Sequence, residues 1–211
     1  TLFRSSRVVF ATTLSPCVMC TRSLIHLHGL GLRRIVVAES QSFGGRKDLL
    51  RPLAGMQLVE LTNPDAVAMM SRFARTYPWD WEADIGGIPP RGPIDFDPAS
   101  LVNAVSSGAA VVDVGGTVLG HCEDQRDTHG GNPVYAPVIR AMGRAGSAVN
   151  LRELVVVVAG DGPLDIDALG LSSLGALELF RPAALVTART VDTHLRDALR
   201  AVDIQVYDGV R

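Results

Sequence analysis

An apolar run, Val8-Val9-Phe10-Ala11, reads as a buried strand extending to Leu14. Ser15-Pro16 ends it, because the residue before a proline is pushed out of the helical region. From Cys17 the apolar spacing turns helical and continues to His28, with Gly29 expected as a left-handed cap. Arg34 to Ala38 is the next strand. A strand, a crossover helix and a strand in so few residues predict a parallel pair with a right-handed connection. Lys47 to Leu53 reads as a short helix, and Leu58-Val59-Glu60-Leu61 as a strand. Asn63-Pro64-Asp65 opens a helix with Asn63 as N-cap and Pro64 in its first turn, running through Met69, Met70 and Phe73 towards Tyr77. The two methionines fall at core spacing and read as packing rather than as ligands.

Three prolines and two glycines between Gly87 and Pro93 stop any helix or ladder. A domain boundary is expected there, giving a first domain over 1–88, a linker over 89–96 and a second domain over 97–211. The second half restarts with a helix over Pro98 to Ser106 and a hairpin, Ala109 to Val114 and Thr117 to Gly120, turning at Gly115-Gly116. Asn132-Pro133 opens a helix through Ala145, and Leu154 to Ala159 is a fully buried strand by composition. A helix from about Asp165 to Phe180, a strand from Ala184 to Thr187, a helix over 191–201 and a strand from Ile204 to Tyr207 follow. The first half has only the later part of this order, so the chain is a weak internal repeat.

Composition narrows the classes. With 47% hydrophobic and 20% charged residues in 211, the chain can bury a substantial core. A formal net charge of -2 without a basic block gives no support to nucleic-acid binding. Of three cysteines two share one motif, which argues against a disulfide framework and suits a reducing, cytoplasmic setting. No apolar run reaches the length of a membrane span, and no signal peptide is expected before Val8.

The motif is Cys17-Val18-Met19-Cys20. Two cysteines three apart in the first turn of a helix project from nearly one side, and the helix N-terminus favours thiolate over thiol. Two thiolates make half of a tetrahedral zinc site. By spacing alone a redox pair, half of a zinc finger and two core cysteines stay open. The absence of a second C-x-x-C excludes a four-cysteine finger within the chain.

With its flanks the motif becomes Thr13-Leu14-Ser15-Pro16-Cys17-Val18-Met19-Cys20, which resembles the second zinc motif of the cytidine/cytosine deaminase superfamily. The resemblance runs from about Val8 to Gly86 and is to the C-terminal half of the fungal-type cytosine deaminases. It takes in His28-Gly29-Leu30, Arg34 to Glu39, Ser42-Phe43 and the closing Trp81-Glu82-Ala83-Asp84-Ile85-Gly86. It implies a three-layer α/β/α cytidine-deaminase-like fold, with one partial copy and one complete but degenerate copy. It also implies zinc-dependent hydrolytic deamination of cytosine or a related small amino-heterocycle; the charge and the apolar runs themselves lead us to expect no nucleic-acid or membrane partner. Cys17 and Cys20 would be two zinc ligands, Phe43 would stack on the ring, Trp81 and Ile85 would close the pocket, and Asp84 would accept a hydrogen bond from the substrate amino group. Ser15 and the Cys17 N–H are further candidates to face substrate.

The family's third ligand and proton-carrying glutamate have no matching position in the first domain. The chain begins Thr1-Leu2-Phe3 without an initiator methionine, and we expect an N-terminally incomplete piece, inactive by itself. His121-Cys122-Glu123 has the H-x-E spacing and supplies a secondary candidate ligand, His121, and proton carrier, Glu123, although it ends a strand rather than starting a helix. In the second domain Ala136 and Val138 fall at the histidine and glutamate positions, and Leu164 and Asp167 at those of the cysteines. A catalytically dead pseudo-subunit is expected there, pairing with the first domain within the chain; a homo-oligomer stays open. The alternative is a non-catalytic deaminase-fold scaffold or regulatory protein with structural zinc.

Overall fold

The protein was analysed as a computed structural model, which describes residues 8–85, 94–103, 105–132, 135–146 and 151–211. Residues 89–93 of the expected linker and the Pro133-Val134 start of an expected helix lie outside the described residues, as do the side chains of Ala83, Asp84 and Leu151. The chain divides into two units, Thr1–Ile88 and Pro89–Arg211.

The first unit is built on β1 (Val9–Leu14), β2 (Arg34–Glu39) and β3 (Gln57–Glu60), all parallel and in that order across the sheet. Leu14 lies opposite Glu39 and Val37 opposite Glu60, so β1 and β2 end level and β3 ends two residues short of them. In the central β2, Ile35, Val37 and Glu39 share one face by the period of two, and all three are buried. Ile35 and Val37 pack with Leu24 of α1 (Val18–Gly29) and with Leu32 and Leu50. Each such side chain contributes about 2 kcal/mol relative to leaving it in water.

β1 is not the buried strand its composition suggests. It is the sheet edge, and Val8, Val9 and Phe10 are exposed, because no described strand pairs along its outer side. The helix after it ends at Gly29 as expected, but the positive φ falls at Gly31 (+113°). Only Lys47–Leu49 of the expected 47–53 helix forms, as a single 3-10 turn. Next come α2 (Pro64–Thr76) and α3 (Pro78–Ile85). Met69, on α2, is exposed rather than in the core. The periodicity gave no sign of α3 as a separate helix. Pro78 forces Tyr77 to φ −130°, ψ 62°, which closes α2, and its own fixed φ suits the first turn of the next helix.

The second unit runs α4 (Pro98–Val102), β4 (Ala109–Val112), β5 (Val118–Cys122), α5 (Pro137–Ala145), β6 (Val155–Val158), α6 (Ile166–Leu169), α7 (Leu171–Phe180), β7 (Ala184–Val186), α8 (Thr193–Arg200) and β8 (Gln205–Tyr207). Its sheet has the order β5-β4-β6-β7-β8, with β4 antiparallel to both neighbours and β6, β7 and β8 parallel. Every residue of β4, β6 and β7 is buried, as their uninterrupted apolar runs require. α4 stops at Val102, short of the expected Ser106. The single helix expected over 165–180 is two, broken at Gly170 with φ +86°. Where α5 crosses β5, a Cβ on Gly120 would lie 2.3 Å from the Ala141 carbonyl oxygen, so only glycine allows the approach.

The class is mixed α/β, consistent with the cytidine-deaminase-like α/β/α fold the resemblance implies. Among the described residues no helix is long and apolar enough to cross a membrane. The Asn63 cap forms as expected, its side chain accepting from the Asp65 and Ala66 amides at 2.9 and 3.0 Å. Asn63→Ala is expected to lower stability by about 1 kcal/mol in urea denaturation, without changing the far-ultraviolet circular dichroism of the folded protein.

Candidate active site

At the end of β1 the chain turns through Ser15 and Pro16, both buried, into the first turn of α1. The Ser15 hydroxyl donates to the Gly44 carbonyl at 2.8 Å, and the Arg46 amide donates to the Pro16 carbonyl at 3.0 Å. The loop after β2 is thereby tied to the segment that carries the cysteines. Gly45 makes the contact close: its φ is +60°, and a Cβ there would lie 2.4 Å from the Pro16 oxygen. Ser15, a candidate to face substrate, instead spends its proton inside this contact.

Cys17 is the N-cap of α1 and Cys20 lies in the first turn. Cys17 is half-buried and Cys20 exposed, and neither is in a disulfide. The Cys20 thiol is pushed well above the usual range, chiefly by its hydrogen bond with Cys17, then by desolvation and by the charge of Cys17. The proximity of a second sulfur thus outweighs the help expected from the helix N-terminus. Two soft donors close enough to share a proton fit one cation between them. Among the described residues no group of three His, Cys, Asp or Glu side chains is arranged to hold a metal ion.

The same loop carries Phe43. Its ring meets Trp81 of α3 edge-on, with centroids 6.2 Å apart and planes at 82°. Phe73 of α2 stands edge-on to Trp81 from another side, 6.4 Å away, and Tyr77 lies 5.5 Å from Phe73. Trp81 is only 9% exposed, whereas Trp79 is 71% exposed and belongs to no such cluster. Ile85, the last residue of α3, is half-buried. Asp84 is in α3, but its side chain lies outside the described residues.

Glu60, at the end of β3, braces the loop. It accepts from Ser40 at 2.8 Å and Arg51 at 2.9 Å, and from Lys47. These partners, Lys47 first, hold its carboxyl below the usual range. Such a depressed group stabilises the fold above its unfolded value and loses that contribution as pH falls through the folded one. Neither Glu60 nor Glu39, whose carboxylate accepts from the Gln41 and Ser42 amides at 2.8 and 3.1 Å, was singled out from sequence. The signal for Glu39 was available, since an acidic residue stands at the third inward position after Ile35 and Val37.

In the second unit His121 is in β5 and Glu123 just beyond it. The His121 ring is 3.0 Å from the Ser107 carbonyl, Ser107 donates to Glu123 at 2.6 Å, and His121 and Glu123 are 3.7 Å apart. Ala136 is the N-cap of α5 and Val138 lies in its first turn, both fully buried; Leu164 is fully buried, and Asp167 lies in the first turn of α6. Apolar groups therefore fill three of the four positions where the resemblance puts metal chemistry.

No family model matches the chain, and no solved structure matches it. Among curated proteins, the cytosine deaminase of Candida albicans is 37% identical over 75 residues, which are 36% of this chain and 47% of that protein. The chain thus spans about half the length of this curated relative. The match supports a deaminase-like relationship.

Gly45→Ala is expected to cost about 1–3 kcal/mol and to shift Trp81 emission in a Trp79→Phe background, because the loop must leave Pro16. Amide exchange over 40–51 is expected to accelerate as pH falls through the folded-state value of Glu60, which lies below the usual carboxylate range; Glu60→Gln should make that exchange independent of pH across the same window after correction for intrinsic exchange.

Proposed function

We propose that the first unit carries the metal-binding and ring-binding part of a zinc-dependent aminohydrolase, which replaces the amino group of cytosine or a related small amino-heterocycle with oxygen and releases ammonia. The single observation that supports this most is the tie from Ser15-Pro16, next to the cysteines, to the loop that presents Phe43 to Trp81. A flat apolar wall and a paired sulfur donor are thereby held on one structural joint. The similarity to a protein named a cytosine deaminase points the same way.

In this reading Cys17 and Cys20 hold Zn2+ as thiolates. Bound zinc supplies the acidity that makes water a nucleophile near neutral pH. Phe43 and Trp81 flank the ring and exclude water, Ile85 lines the same wall, and Asp84 accepts from the amino group that will leave. The H-x-E spacing keeps His121 and Glu123 only as secondary candidates for the third ligand and the proton carrier. The second unit, with the order helix, hairpin, helix, strand, two helices, strand, helix, strand, serves as a pseudo-subunit without metal chemistry of its own. The protein works in the cytoplasm.

The test is metal content and ammonia release from the whole chain supplied with zinc and cytosine. Bound zinc that falls away in Cys17→Ser and in Cys20→Ser, with cytosine shifting Trp81 emission, is the expected result. Ammonia release abolished by His121→Ala assigns the third ligand to His121. Zinc held without any response to cytosine favours the structural-zinc scaffold, and wild-type protein that takes up no zinc sinks both readings.

A further inference from the structure

We infer that Glu39 is the positioning residue of the aromatic wall: its buried carboxylate fixes the turn from which Phe43 reaches Trp81. The inference rests on the reading of Phe43 and Trp81 as the ring-binding pair.

Glu39 is the last residue of β2 and 1% exposed, on the face where Ile35 and Val37 bury hydrocarbon. An ionisable group in that row is costly unless its oxygens are used. One is used twice: Oε2 accepts from the backbone amides of Gln41 and Ser42 at 2.8 and 3.1 Å, a charge-assisted pair at the very start of the loop. The other, Oε1, is buried and has no hydrogen-bond partner among the described residues. An apolar residue would suit the core better at this position, so the carboxylate is explained by the turn it holds. The two residues flanking Phe43 are each pinned: Ser42 through its amide to Glu39, and Gly44 through its carbonyl to Ser15. Ser40, on the near side of the turn, is bonded to Glu60. With both neighbours fixed, the Phe43 backbone has little freedom, and its edge-on contact with Trp81 follows from that.

Three variants in a Trp79→Phe background test this, so that Trp81 alone reports. Glu39→Met keeps the volume and removes the acceptor. Glu39→Asp keeps the charge and withdraws it by one methylene. Glu39→Gln keeps a carbonyl oxygen for the same amides. The readouts are amide exchange at Gln41 and Ser42, Trp81 emission, and titration with cytosine of the zinc-supplied protein. In Glu39→Met and Glu39→Asp, exchange at the two amides is expected to rise at least about ten-fold relative to Ile35 and Val37, with Trp81 emission shifted and cytosine affinity reduced about ten-fold. Glu39→Gln is expected to restore all three. If Glu39→Met does not fold, Glu39→Asp decides. Unchanged exchange at Gln41 and Ser42, or faster exchange with Trp81 emission unmoved, overturns the positioning role. Wild-type protein that ignores cytosine overturns the ring-binding reading instead, while exchange and emission still judge Glu39.

Discussion

The hydrogen bond from Ser15 to the Gly44 carbonyl, with its companion from the Arg46 amide to the Pro16 carbonyl, joins two loops that leave neighbouring parallel strands at the same level. Everything proposed for the first unit depends on that joint. Without it the thiols would belong to one connection and the aromatic wall to another, each free to move. Parallel strands bring such loops together at one sheet end, but they do not fix the distance between them. Here Gly45 does so, because a backbone carbonyl occupies the space a side chain would need. The rigidity of the site is therefore mostly a backbone property, supplied by a serine, a proline and two glycines.

Much of this was legible in the residues and some was not. The parallel β1-β2 pair, the Asn63 cap and the buried strands of the second half follow from periodicity and cap chemistry, which are local. The exposure of β1 was not legible, since an apolar run carries no record of its neighbours. Nor was the break at Gly170, because one glycine in a helical pattern is usually tolerated. For the site, motif and resemblance led to Cys17, Cys20, Phe43 and Trp81, and the last two do meet. The residues that hold them, Glu39, Glu60 and Gly45, were missed. Their roles consist of bonds to backbone groups distant in sequence, and no residue pattern announces those. The elevated Cys20 pKa was missed for a related reason: it arises from a second sulfur rather than from the helix.

The two units make an informative pair when each sheet is taken separately. Three parallel strands occur in both, as β1-β2-β3 and as β6-β7-β8. In the second, antiparallel β4 lies along β6, followed by β5, and helix α5 packs so closely on β5 that Gly120 has no room for a side chain. In that unit the resemblance puts metal chemistry at Ala136, Val138, Leu164 and Asp167. Leu164, Ala136 and Val138 are sealed from water and offer a cation only hydrocarbon, whereas Asp167 is exposed. The His121-Ser107-Glu123 contacts show a polar cluster already satisfied by its own backbone and hydroxyl.

The open side of β1 has a consequence for handling the protein. Among the described residues no strand pairs along the side of β1 where Val8, Val9 and Phe10 are exposed, and β1 itself holds neither proline nor lysine to discourage another strand from adding there. A rim of that kind recruits any extended segment with free amides, including the same rim of a neighbouring molecule. Any strand that adds along this side, from the same chain or another, is held by the backbone itself, and a charge placed at Val9 would weaken that pairing without touching the thiols.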